Sequence, residues 1–227
     1  MLIVIEKVLT QDQVAEVRDA LMNAPWHDGK ASAGGLAVNR KSNQQLLDSS
    51  DTAKQLQQQL LTALGGNANF ISAALPHKIY PPKFNCYQQG DTYGNHIDGA
   101  IMTLPHSGES LRTDISATLF LSDPEEYQGG ELTVETTYGA QPVKLAAGDM
   151  VLYPATSLHR VNPITSGERV ASFFWIQSLV RDTDQRSNLY DLDQSVQSLT
   201  SVLGPEHDDV VRLSGVYHNL VRRWSDC

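Results

Sequence analysis

Two hydrophobic spacings divide the chain. Val14, Val17, Ala20 and Leu21 fall on one helical face behind Thr10 and Gln13, residues suited to a reciprocal cap, so a helix is predicted over 10–23. Leu56, Leu60, Leu61 and Leu64 repeat that spacing and stop at Gly65-Gly66, which predicts a second helix over 52–64. An apolar start over 2–8 reads as a short strand. Residues 25–43 are rich in Gly, Ala, Ser and Asn, lack a period and are expected to form a long loop.

From Phe70 the pattern changes to short apolar runs. Strands are predicted at 71–75, 84–88, 115–121, 131–135, 142–145, 150–153, 158–162 and 170–179. Gly129-Gly130, Tyr138-Gly139, Gly148-Asp149 and Ser166-Gly167 punctuate them. Such a succession, with no helix inside it, indicates an antiparallel sandwich or barrel. Helical spacing returns over 184–226 with a break at Gly204-Pro205. Its apolar stripe is expected to pack on the protein's own helices, a homodimer contact being the alternative. The chain is therefore read as α+β: a strand and helix support region (1–77), a strand-rich core (78–178) and a C-terminal helical extension (179–227).

Composition narrows the function classes. With 41% hydrophobic residues the chain has enough apolar material for a buried core. The net charge is -9 and the basic residues are scattered, which argues against a nucleic-acid partner or an anionic membrane surface. No apolar stretch reaches membrane-spanning length, and residues 1–5 lack the features of a signal peptide. Cys86 and Cys227 are the only cysteines, a poor disulfide framework that fits a reducing compartment, so a cytoplasmic location is expected.

The chemistry centres on His96-Ile97-Asp98, with His159 61 residues beyond the aspartate and Arg169 ten residues further on. In a strand, residues i and i+2 share a face, so His96 and Asp98 can present an imidazole and a carboxylate to one point. His159, from a distant strand, would supply a third ligand. Two histidines and one carboxylate on one face of an octahedron leave three positions open, the arrangement of non-haem Fe(II) oxygenases. The tripeptide alone is weak, since about half a match is expected by chance. A second match, His207-Asp208-Asp209, lies in the helical tail, where i and i+2 do not share a face, and is expected to be a solvated helix start. His27, His77, His106 and His218 have no comparable companions and are read as structural or surface residues.

Arg169 opens an apolar run across the turn Thr165-Ser166-Gly167 from the His159 strand. If those consecutive strands lie side by side, the guanidinium reaches the metal end of the pocket. A buried planar fork of donors wants a carboxylate, which points to a 2-oxo acid cosubstrate. The loops 100–113 and 28–39 are lid candidates, and Trp26, Tyr93 and Trp175 are candidate substrate contacts.

A resemblance extends this reading. Tyr87-Gln88-Gln89-Gly90, His96-x-Asp98, the run from Arg112 to Leu121, Gly129-Gly130-Glu131-Leu132, Gly148-Asp149, His159 and Arg169 resemble the prolyl and lysyl hydroxylase branch of Fe(II)/2-oxoglutarate oxygenases. The whole chain is similar to bacterial PKHD-type hydroxylases. The resemblance implies a double-stranded β-helix (jelly-roll) core, with Fe(2+) on His96, Asp98 and His159. It also implies Arg169 and Tyr87 on the distal carboxylate of 2-oxoglutarate, and no catalytic side chain beyond the metal ligands. Leu119 stands where those enzymes place a further pocket tyrosine. The implied reaction couples decarboxylation of 2-oxoglutarate to succinate with hydroxylation of a C–H bond, L-ascorbate serving as reductant. The acceptor would be a peptide or small molecule, in a setting of bacterial iron uptake. Two other readings stay open: a cupin-like dioxygenase without a 2-oxo acid, and a binding protein that senses iron or 2-oxoglutarate.

Overall fold

The computed structural model describes residues 1–32 and 40–226. β1 (Ile3–Ile5) leads into α1 (Gln11–Met22), and β2 (Trp26–Asp28), β3 (Lys41–Ser42) and β4 (Gln44–Leu46) precede α2 (Asp51–Gly65) and α3 (Ala68–Ala74). The strands β5 (Pro76–Ile79), β6 (Lys83–Tyr87) and β7 (Thr92–His96) follow, then the hairpin β8 (Ile101–Thr103) and β9 (Ser110–Arg112). Next come β10 (Ile115–Phe120), β11 (Tyr127–Gly129), β12 (Leu132–Thr136), β13 (Gly139–Val143) and β14 (Met150–Pro154). β15 (His159–Val161), β16 (Ile164–Gly167) and β17 (Arg169–Ser178) complete the strands, and α4 (Thr183–Leu203) and α5 (Asp208–Trp224) close the chain.

Two antiparallel sheets face each other. The larger runs β1-β14-β10-β17-β6-β4-β2, with β5 also on β17; the smaller runs β13-β12-β15-β7-β3. Alternation along the strands decides what each face meets. On β10, Ile115, Ala117 and Leu119 join the core shared with α1, α2 and α3, whereas Phe120 joins the cluster between the sheets. β17 behaves alike: Val170, Phe174 and Ile176 face the helices, while Arg169, Phe173 and Trp175 line the interior. Being covered on both faces explains why this strand reads as one continuous apolar run. Leu56, Leu60 and Leu64 of α2 are fully buried against the larger sheet, each contributing about 1.5–3 kcal/mol.

The cap on α1 forms as predicted, with the Thr10 hydroxyl accepting from the Gln13 N–H and the Gln13 side chain accepting from the Thr10 N–H. Three expectations change. Residues 71–75, predicted as a strand, fall in and after α3, which Asn67 caps and Leu75 ends at φ +43°. A short apolar run has no reliable period, and capping decided the outcome. The expected loop over 25–43 contributes β2 and β3, and the loop over 100–113 carries the β8–β9 hairpin. Most of the proposed 28–39 lid lies outside the described residues. In the tail, Tyr217, Leu220, Val221 and Trp224 pack on buried Leu75, Val180 and Leu189.

Gly129 shows how tightly the β11–β16 ribbon is built. Its φ is +72°, and a Cβ there would lie 2.1 Å from the Pro163 carbonyl oxygen. Gly129→Ala is therefore expected to destabilise the protein by at least about 2 kcal/mol, measured by chemical denaturation.

Candidate active site

β7 and β15 are neighbours in the smaller sheet, with His96 and His159 in direct register. Their rings lie 4.1 Å apart between centroids, and His159 Nε2 is 3.8 Å from Asp98 Oδ2. One ligand atom from each of His96, Asp98 and His159 falls within 4.8 Å of the others, a span suited to one ion. β7 ends at His96, so Asp98 is delivered by the following loop rather than by a strand. The Ser116 hydroxyl, from β10 in the opposite sheet, donates to Asp98 Oδ2 at 2.5 Å and sets that carboxylate.

The imidazoles are oriented by backbone. His96 Nδ1 lies 2.8 Å from the Gly94 carbonyl and His159 Nδ1 3.0 Å from that of Ser157. A carbonyl only accepts, so each Nδ1 carries the proton and each Nε2 keeps its lone pair for a metal. Burial, and then the neighbouring His159, pull the His96 pKa down to about 4. At neutral pH that ring is already in the form a cation needs. His27, His77, His106, His207 and His218 are all exposed, and His207 caps α5.

Ser116 is the missed residue with the clearest role in orientation. Ser116→Ala leaves the carboxylate free to turn, and Fe(II) affinity is expected to fall by about 10–100-fold in a competitive chelator titration.

Arg169 is 1% exposed, and its Nε and Nη2 have no hydrogen-bond partner. No carboxylate among the described residues pairs with it. Its Cζ sits 5.5 Å from the Tyr87 ring and 5.1 Å from that of Phe120, and Arg169 and Tyr87 are in register on β17 and β6. A buried cation with idle donors is costly unless an anion joins it. The route that brings it near the triad differs from the expected one. β15 and β17 belong to opposite sheets, separated by β16, so Arg169 approaches the triad across the sandwich and not through a hairpin.

A cavity of about 400 Å³ connects these groups. Tyr87, Arg169 and Leu132 line its buried end, the triad its middle, and Phe173, Met102 and Ile97 its outer part. Leu119, expected at the place of a pocket tyrosine, faces the helices instead. Tyr153 lines the cavity, and the Tyr127 hydroxyl is buried without a partner in the same inter-sheet cluster. Tyr93 and Trp175 line the cavity, whereas Trp26 packs against the helix-side core. Asn85 and Lys41, which sequence reasoning did not single out, line it too.

The donor set suits a ferrous ion with a dicarboxylate: N and O ligands with no thiolate, and a separate buried guanidinium awaiting an anion. Comparison with known proteins agrees. Residues 82–177 match the 2OG-Fe(II) oxygenase superfamily, and residues 183–226 match the PKHD-type hydroxylase C-terminal domain. The PKHD-type hydroxylase of Acidovorax ebreus (strain TPSY) is 57% identical over 225 residues, 99% of each chain. That of Pseudoalteromonas atlantica (strain T6c / ATCC BAA-1087) is 56% identical over 227 residues, the full length of both. Among solved structures, a Pseudomonas putida prolyl-4-hydroxylase has a TM-score of 0.51 at 20% identity, covering 78% of this chain and 92% of that chain. HygX from Streptomyces hygroscopicus, with nickel, 2-oxoglutarate and hygromycin B bound, has a TM-score of 0.53 at 15% identity, covering 78% and 82%. At those identities the structural likeness is one of fold, a jelly roll with added helices. Full-length identity above one half carries the family assignment: the chain belongs to the PKHD-type hydroxylases, Fe(II)- and 2-oxoglutarate-dependent dioxygenases.

Proposed function

We propose that His96, Asp98 and His159 hold Fe(II), and that Arg169, with Tyr87 beside it, holds the distal carboxylate of 2-oxoglutarate in a hydroxylase of a separate acceptor. The observation that carries this reading is the pair of unpartnered Arg169 nitrogens in the cavity that also contains the triad. When bound, the metal and cosubstrate activate oxygen, releasing succinate and CO2 and placing a hydroxyl on a C–H bond.

The chain's own part is positioning. Ser116 holds Asp98, the carbonyls of Gly94 and Ser157 hold the two rings, and Arg169 fixes the far end of the cosubstrate. Burial keeps the Tyr87 and Tyr153 phenols protonated, so both remain donors toward a carboxylate. Leu132 and Val161 keep water from the inner wall. Ascorbate as reductant, a cytoplasmic location and a link to iron uptake complete the reading, and these rest on the family likeness and on the cysteine content alone.

Purified protein with Fe(II), oxygen and 2-oxoglutarate is expected to release succinate, and a cell extract added to it is expected to yield a product heavier by one oxygen. A cosubstrate that binds but is never consumed, even with extract present, would favour a sensor. Absence of 2-oxoglutarate binding would favour a cupin-like dioxygenase.

A further inference from the structure

Tyr127 meets the Arg169 guanidinium from an element the site just described does not use. It lies on β11 opposite Gly167 of β16, in a two-stranded ribbon that leads the chain directly into Arg169 on β17. The strands touch closely there: a Cβ at Gly167, where φ is +77°, would stand 2.8 Å from the Tyr127 Cα. Tyr127 is 1% exposed and packs in the inter-sheet cluster with Tyr87 and Phe120, the two rings beside which the Arg169 Cζ rests. Lys144 fixes the residue twice, its Nζ donating to the Tyr127 carbonyl at 2.8 Å and lying 4.0 Å from the ring centroid.

These neighbours hold the guanidinium unequally. Aromatic faces attract a cation without fixing the plane of its donors. An oxygen that accepts one N–H does fix it. Tyr127 brings such an oxygen: its buried hydroxyl makes no hydrogen bond, and the Arg169 Nε and Nη2 are idle as well. Burial raises the phenol pKa, and the charge and N–H groups of Arg169 pull against that rise, so the two groups act on each other while the phenol stays neutral. Neutrality matters here. A carboxylate in that place would pair with Arg169 and cancel the charge a cosubstrate needs, whereas a phenol can aim the guanidinium and leave its charge intact.

We propose that Tyr127 is a positioning residue: its hydroxyl oxygen accepts one N–H of Arg169 and aims the remaining donors at the distal carboxylate, which sets the chain length of the 2-oxo acid. An acid with one more methylene would carry its carboxylate past the fixed donors. The proposal rests on the cosubstrate reading above, since that reading places 2-oxoglutarate on Arg169.

Tyr127→Phe removes the oxygen and keeps the ring. With Fe(II) bound and oxygen excluded, the unaltered protein titrated calorimetrically is expected to bind 2-oxoglutarate at least about tenfold more tightly than 2-oxoadipate. Tyr127→Phe is expected to bind 2-oxoglutarate about tenfold more weakly and to narrow that preference to within about threefold, with Fe(II) affinity and melting temperature unchanged. A merely structural hydroxyl would not move the ratio between two ligands. Equal binding of the two acids by the unaltered protein overturns the proposal, and so does a Tyr127→Phe protein that keeps the parental preference, whatever its affinity. If Tyr127→Phe behaves as the parent while Arg169→Gln loses 2-oxoglutarate, the positioning role falls and the cosubstrate reading stands. If the unaltered protein binds no 2-oxoglutarate, or Arg169→Gln binds it as the parent does, that reading falls and this proposal with it.

Discussion

His159→Ala protein is expected to lose Fe(II) affinity by more than about 100-fold and to release no succinate from 2-oxoglutarate. Of the three proposed ligands His159 has the least access to replacement by water, being 4% exposed and packed between the rings of His96 and Tyr153. Alanine removes one of three donor atoms and leaves two, one of them from a loop. The metal-free variant should retain a cooperative unfolding transition, because β15 keeps its backbone pairs with β7 and β12. Equilibrium dialysis against Fe(II) under anaerobic conditions reads the first effect and succinate assay the second. Unchanged iron binding would remove His159 from the metal site.

The second large effect belongs to Arg169. In Arg169→Gln, Fe(II) binding is expected to persist while 2-oxoglutarate affinity falls by about 30-fold or more, as when one partner of a buried charge pair is truncated. The split is diagnostic, since loss of both ligands together would mean general damage. Stability adds an independent sign. The free protein holds a desolvated guanidinium with two idle nitrogens, so the ligand-free variant should melt no lower than its parent. Calorimetric titration with 2-oxoglutarate and a thermal melt check the two halves.

The parts of this molecule legible from sequence are those where local pattern and tertiary role agree. The capped α1, the leucine-spaced α2 and the two-faced β17 each bury what their spacing marks as apolar. His96, Asp98, His159 and Arg169 stood out because rare polar residues interrupt strand-like runs in a fixed order. Other features needed the third dimension. Ser116 reads as an ordinary polar position of β10 until the sheets close and bring it onto Asp98. Lys41 lies in a stretch with no period, and only the pairing of β3 with β7 places it beside Tyr93. The strand misread at 71–75 failed for the opposite reason: an apolar run too short to show a period was decided by the cap at Asn67. Even the proximity of Arg169 to the triad, expected from chain neighbourhood, arises from the closure of two sheets on each other.

The gradient of burial along the cavity sets a timetable. Tyr87 and Arg169 are each 1% exposed at one end, while Ile97 is 59% exposed at the other. Anything resting on the outer wall stands between solvent and the guanidinium. If Arg169 holds the cosubstrate as proposed, a dicarboxylate bound for it arrives before the molecule to be oxidised. On the same assignment, spent succinate would wait for that second guest to depart.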